Sequence, residues 1–337
     1  MKVFNGKALN DLTDRMTESL RSEYDSLTEE ELFTQAEFRP EEAEGTAYQG
    51  YSYWRSTLRI FFKNKTAMFF LFLIAVLLLF TFIQPYLPNQ KDPQTTYTDS
   101  SGALIRNAEP GSEFWFGTNS IGQDLWSMTW SGTRTSLFIG FSVALITAVL
   151  GVFIGILWGY VRRLDALLTE VYNVFDNIPT TLVLILMSYV FRPSISVIIF
   201  SLCLSEWLLT ARFVRNQILI LRDRDYNLAS KCLGTPMHRI IIRNIVPYLI
   251  SVITLRMSLA IPIAISEEVF VTYIGLGLPL SIPSLGNLIV SGIDKMLEPS
   301  LRHQLLLPAA VLAAVTVSFY IIGNAFADAS DPKNHIS

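Results

Sequence analysis

The chain has 337 residues, 51% of them hydrophobic and 16% charged, with a net charge of −3 and a mean hydropathy of +0.39. A composition this apolar and this sparsely charged excludes an ordinary soluble domain. It reads as an all-α polytopic membrane protein, with the lipid membrane as its surroundings and no nucleic acid as a partner.

Residues 1–50 form a separate unit of composition. They hold 12 Asp/Glu and 5 Lys/Arg, a balance of −7 against −3 for the whole chain. The run TEEELFTQAEFRPEEAEG has few core-forming residues, so an acidic solvated tail, disordered or forming a short surface helix, is expected. The next stretch, 51–87, is a basic amphipathic lead-in with Arg55, Arg59, Lys63 and Lys65, followed by a first apolar run. That run starts too far into the chain, and is too long, for a cleaved signal peptide.

Crossing the hydrocarbon takes about 20 apolar residues. Six segments qualify, at roughly 66–87, 136–160, 169–191, 194–220, 247–274 and 304–326. The loop 88–135 is expected outside, with an interfacial helix, and its Trp115, Trp126 and Trp130 suit anchoring at headgroup depth. The core 136–326 follows, and 327–337 is a short tail. Arg162, Arg163, Arg215, Arg222, Arg224, Lys231, Arg239 and Arg243 all fall on one side if both termini are cytoplasmic, which the positive-inside preference supports. In the second span Gly151, Gly155 and Gly159 recur every four residues, a stripe that lets a neighbouring helix approach closely. Pro179 is expected to kink the third span. The second outer loop, GLGLPLSIPSLGN, must be irregular backbone, tolerated at membrane depth only against protein or a water-filled cavity.

Polar residues inside the spans are the candidates for a solute pathway, because ionisable groups in a bilayer are costly and face a pathway or a partner. They are Asn173, Asp176, Asn177, Glu206, Arg256, Glu267 and Glu268. Glu206 with Arg212, or Arg256 with a glutamate of another span, are the expected buried pairs. There is no GxxxxGK[ST] phosphate loop, HExxH helix or GxSxG elbow, so no catalytic residue is assigned and ATP, if used, is bound by another chain. His238, His303 and His335 are scattered, no metal ligands are assigned, and Cys203 and Cys232 read as free thiols.

Between the fourth and fifth spans the loop 222–246 is polar and basic. RDRDYNLASKCLG supports a helix that stops at Gly234, and TPMHRIIIRNIVP restarts one with Thr235 as N-cap and Pro236 at the first helical position. A glycine at this turn is expected because the position needs φ > 0 or close backbone approach.

LASxxxG ahead of NIVP resembles the EAA motif of permease subunits of bacterial ATP-binding cassette importers. Leu228 stands where the motif has glutamate, Ala229 matches, Ser230 replaces alanine, and Gly234 is kept. FGTNSIGQDLWSMTWSGTRTSL is similar to that family's FGTDxxGRD…GxRxSL. WLLTARFVRNQIL resembles WxxxARxVRxQ, EVFVTYIGLGLPLSIPSLGN resembles ExSLSFLGLG…PSWGN, and NAFADASDPK resembles the GDxLRDxLDPR tail. The likeness covers about residues 50–333 and looks most like the OppC/DppC branch of the peptide and nickel permeases.

The resemblance implies six transmembrane helices of the type I ABC importer permease kind with a cytoplasmic coupling helix. Leu228, Ala229, Ser230, Gly234, Thr235, Pro236 and Arg239 would form the ATPase-coupling set. It implies an OppB-like second permease, two OppD/OppF-like ATPase subunits that hold ATP and Mg, an extracytoplasmic peptide-binding protein, and no cofactor on this chain. The location implied is the bacterial plasma membrane, and the activity is oligopeptide import. Dipeptides or a nickel chelate are the alternatives within the branch. An ATP-independent secondary transporter would predict internal repeats, which the chain lacks, and a scaffold acting through the acidic tail is a third class.

Overall fold

The computed structural model describes residues 53–330, and among these there is no strand, only isolated β-bridges in the loop ahead of the second span. The acidic stretch 1–50 and residues 331–337 lie outside the described residues.

Helix α1 (Tyr53–Lys63) is the amphipathic lead-in. Asn64 ends it and caps α2 (Lys65–Ile83), its side chain accepting from the Ala67 N–H at 3.1 Å. α2 is apolar on all sides, as a lipid-facing span should be, and Phe69, Phe72, Leu79 and Phe82 are exposed on it. α3 (Leu125–Tyr160) is 36 residues long and is capped by Asp124, whose carboxylate accepts from Ser127 N–H at 3.0 Å.

The third apolar segment is broken, not merely kinked. α4 (Arg162–Asp176) and α5 (Thr180–Val190) meet at 77° across Asn177–Pro179. Pro179 favours extended backbone in the residue before it and has no N–H to continue the ladder, and helix restarts only after it. α6 (Ile195–Arg222) carries the fourth span. α7 (Asp225–Cys232), α8 (Met237–Ile240) and a π-turn at Ile241–Ile245 form the basic loop. α9 (Val246–Tyr273), α10 (Leu285–Ile293) and α11 (His303–Ser330) complete the order. Four helices are long and apolar enough to cross a membrane, and the two bent segments bring the number to six if each is one span.

The expected outer interfacial helix is not separate: residues 125–135 are the first turns of α3. Trp130 is buried there, and Phe80, Trp126 and Trp115 stack edge-on in series, with Phe80 and Trp130 centroids 4.6 Å apart. Trp126 Nε1 donates to Gln90 at 3.1 Å. Packing against Phe80 and the loop holds Trp126 and Trp130, and Trp115 is the half-exposed one of the three.

α3 runs along α6, α9 packs on α3 and α11, and α2 lies against α11. The glycine stripe sets the closest seam. A Cβ on Gly155 would stand 2.6 Å from the Ala211 carbonyl oxygen, and Gly151 and Gly159 face Thr210 and Ile218. A cluster of Val214, Ile218 and Leu221 from α6 with Ile240, Ile245 and Leu249 mounts the basic loop on the spans.

Candidate functional site

The basic loop is a helix, a reversal and a second helix, held from beneath. α7 ends on Gly234, whose φ of +78° lies in the left-handed region, with nothing within 4 Å of a Cβ placed there. The turn conformation, not crowding, is what calls for glycine. Thr235 N–H donates back to Ser230 O and Gly234 N–H to Lys231 O, both at 3.0 Å, which absorbs the last carbonyls of α7. The expected Thr235 cap does not form, because the helix starts one residue later and has no side-chain cap. Pro236 takes the N-cap position and α8 opens at Met237.

Two asparagines that the sequence reading passed over fix this unit. Asn227 is 3% exposed. Its Nδ2 donates to Leu221 O at the end of α6, and its Oδ1 accepts from Asn244 Nδ2, each at 2.8 Å. Asn227 opens the NLAS stretch and Asn244 opens NIVP, so the only available signal was that both flank the glycine turn. The outward side is apolar and open: Leu228, Leu233 and Met237 are exposed beside Lys231 and Arg239, the mixture of an interaction surface. Ala229 and Pro236 are exposed with them, while Ser230 turns its hydroxyl to Tyr226 O at 2.8 Å. At the base, Arg222 sits 3.1 Å from Asp223 and holds that carboxyl below the usual carboxylate range, desolvation opposing and the fields of Arg162 and Lys231 adding.

The intramembrane polar residues separate into three places. Asn173, Asp176 and Asn177 are exposed at the α4–α5 break, where Tyr172 OH donates to Asp176 at 2.5 Å and Asn177 Nδ2 donates to Asn173 O. Tyr172 and Asp176 border a small cavity of about 60 Å³ shared with Ser205 of α6. Glu206 of α6 lies within electrostatic reach of Arg256 and Glu267 of α9.

The expected buried ion pairs do not form: among the described residues neither Glu206 nor Glu267 comes within 4.0 Å of an arginine nitrogen. Arg212 instead lies 3.9 Å above the Tyr172 ring and Arg256 5.7 Å from the Phe213 ring, so aromatic faces take the guanidinium groups. The ion pair that does join spans is Arg215 with Asp165 at 2.6 Å, with Trp158 Nε1 donating to the same oxygen at 3.0 Å. Sequence reading missed it because Asp165 precedes the segment counted as a span.

Glu268 stands apart from the other polar residues of the spans. It is fully buried, and its carboxylate accepts from Ser284 at 2.8 Å and from Ser136 and Thr272 at 3.2 Å. Ser136 accepts in turn from Leu285 N–H at 3.2 Å, and Ser284 caps α10. Gly286 leaves room for the carboxylate, since a Cβ there would stand 2.7 Å from Glu268 Oε1. The Glu268 carboxyl at the start of α10 thus locks the irregular loop before that helix to α3 and α9, satisfying buried donors.

Comparison with known proteins places these features in a family. The family model described as binding-protein-dependent transport system inner membrane component matches residues 151–336. The model for the N-terminal TM domain of oligopeptide transport permease C matches residues 52–110. The chain is 37% identical over 285 residues to the oligopeptide transport system permease protein AmiD of Streptococcus pneumoniae, covering 85% of this chain and 91% of that one. It is 31% identical over 318 residues to the dipeptide transport system permease protein DppC of Bacillus subtilis, covering 94% and 97%. Likewise it is 31% identical over 310 residues to the oligopeptide transport system permease protein OppC of Bacillus subtilis, covering 90% and 97%.

Proposed function

The chain belongs to the inner membrane components of binding-protein-dependent transport systems, and from that membership we propose that it forms, with a second permease, the pathway of an ATP-driven peptide importer. It is a multi-pass transport subunit and not an enzyme. Peptides are the substrate class we assign because relatives matched over most of their length are named for oligopeptide and dipeptide transport. Oligopeptides are the first choice and dipeptides the second.

Energy enters through partner ATPases that hold ATP and Mg, and an external binding protein delivers the peptide. Both termini and the basic loop are cytoplasmic in this reading, as the Lys/Arg distribution favours. The observation that carries the coupling role is the geometry of the α7–Gly234–α8 unit: an exposed apolar tip on a base bonded to the ends of α6 and α9. Displacing such a tip moves two spans together. Asn173, Asp176, Asn177, Glu206, Arg256 and Glu267 are the groups we assign to the pathway side, because polar and ionisable groups within spans face a pathway or a partner and none of the charged ones among them is neutralised by an ion pair among the described residues.

The test is uptake of a labelled short peptide by cells lacking the gene and complemented with wild type or Gly234→Val. Loss in both the deletion and the variant, with the variant present in the membrane at normal level, supports coupled peptide import. Undiminished uptake in the deletion strain, in a host with no second peptide system, overturns it.

A further inference from the structure

Between the coupling turn and the ends of α3, α4 and α6 lies a cavity of about 380 Å³ that shares Leu228, Lys231 and Met237 with the exposed tip and reaches inward to Asn227. Its polar wall draws on four segments: Tyr160, the last residue of α3; Arg162, which opens α4; Arg222 and Asp223 at the end of α6; and Lys231 of α7, with α8 supplying a fifth, apolar side. Three cations share one carboxylate. Asp223 is already paired with Arg222, and among the described residues neither Arg162 nor Lys231 has a carboxylate within 4.0 Å. Opposite the cations the wall is apolar, with Met237 and Ile240.

We propose that this cavity binds the phosphate headgroup of an anionic glycerophospholipid, which braces the coupling turn from the bilayer side. Two observations favour a lipid over a free anion. The cavity sits where two membrane-length helices end, at Tyr160 and Arg222; on the cytoplasmic reading of this loop those ends point to the headgroup layer, where basic sites between spans recruit anionic headgroups. The apolar wall would stay uncovered beneath inorganic phosphate, whereas a glycerol and acyl stem would cover it. The inference rests on the reading that places this loop on the cytoplasmic side.

The assembled importer, partner subunits included, is placed in mixed phosphatidylglycerol and phosphatidylcholine nanodiscs, and bound phosphatidylglycerol is measured by native mass spectrometry. With about fivefold in affinity per surface cation, Arg162→Gln with Lys231→Gln should weaken retention about thirtyfold. Arg162→Lys with Lys231→Arg should keep it, and so should Arg163→Gln with Arg243→Gln, which removes two cations outside the cavity. Equal loss from both glutamine pairs, no wild-type preference over phosphatidylcholine, or displacement by millimolar inorganic phosphate would each overturn the lipid site. Release of the ATPases from the first pair with lipid retention unchanged would overturn it too, reassigning these cations to the ATPase contact. Peptide-stimulated ATP hydrolysis of the wild-type assembly is scored separately, so failure of the importer reading shows as its absence whatever the lipid count.

Discussion

Asn227 and Asn244 are 17 positions apart in the chain, yet the Asn244 amide donates to the Asn227 carbonyl oxygen at 2.8 Å. The same Asn227 side chain donates to Leu221 O, so one carboxamide fastens α7 both to the end of α6 and to the π-turn before α9. Asn227→Leu should cost about 1–3 kcal/mol of stability, because it strands a buried carbonyl and the Asn244 amide. Asn244→Ala should cost less, and the two changes together less than their sum. Thermal unfolding in detergent measures the cycle. Strict additivity would show that the pair is not energetically linked.

Gly234 offers a sharper test of the turn. Its surroundings are empty but its φ is +78°, so a side chain is opposed by backbone conformation alone, by about 1–2 kcal/mol for most residues. Gly234→Asn, which tolerates the left-handed region, should therefore retain most transport, while β-branched Gly234→Val should abolish it. Equal losses in the two variants, at equal membrane levels, would mean that the glycine serves contact with a partner surface instead.

Glu268 should behave as a structural hydrogen-bond acceptor. Glu268→Ala strips an acceptor from Ser136, Thr272 and Ser284 and opens a void, for an expected loss of about 3 kcal/mol or more. Glu268→Gln, which keeps the volume, should lose less. Unfolding in detergent ranks them. A Glu268→Ala protein of wild-type stability but altered peptide selectivity would return this residue to the pathway.

The α3–α6 seam predicts an asymmetric response to added bulk. Gly155→Leu pushes into the Ala211 backbone and the Val214 side chain and should destabilise by about 1–3 kcal/mol or more. Gly111→Leu, in the outer loop with only one atom near its Cβ position, at 3.9 Å, should have little effect. Membrane yield and melting temperature of the two variants decide this.

Much of the pathway side remained illegible from sequence because a polar residue in a span looks the same whether it faces water, lipid or another side chain. Glu206 and Arg212 are close in sequence and suggested a pair, but six positions in one helix set them on different faces, and the Tyr172 ring, from a different helix, takes Arg212 instead. Glu268 and Glu267 are adjacent, yet the first is enclosed and the second half-exposed, because successive helical residues point about 100° apart and only packing decides which one is covered.

What the amino-acid order determined alone was local: where apolar length suffices to span, where Gly234 reverses the chain, where Pro179 interrupts a helix, and which face of α3 is small. Those properties depend on neighbours a few residues away, through backbone sterics and the helical period. The tertiary structure alone decided the long-range bonds, among them Ser136 with Glu268, 132 positions apart, and the Asn227–Asn244 clasp. Hydrogen bonds and ion pairs form only within a few ångströms, and the separation of two segments in space is set by the packing of every helix between them.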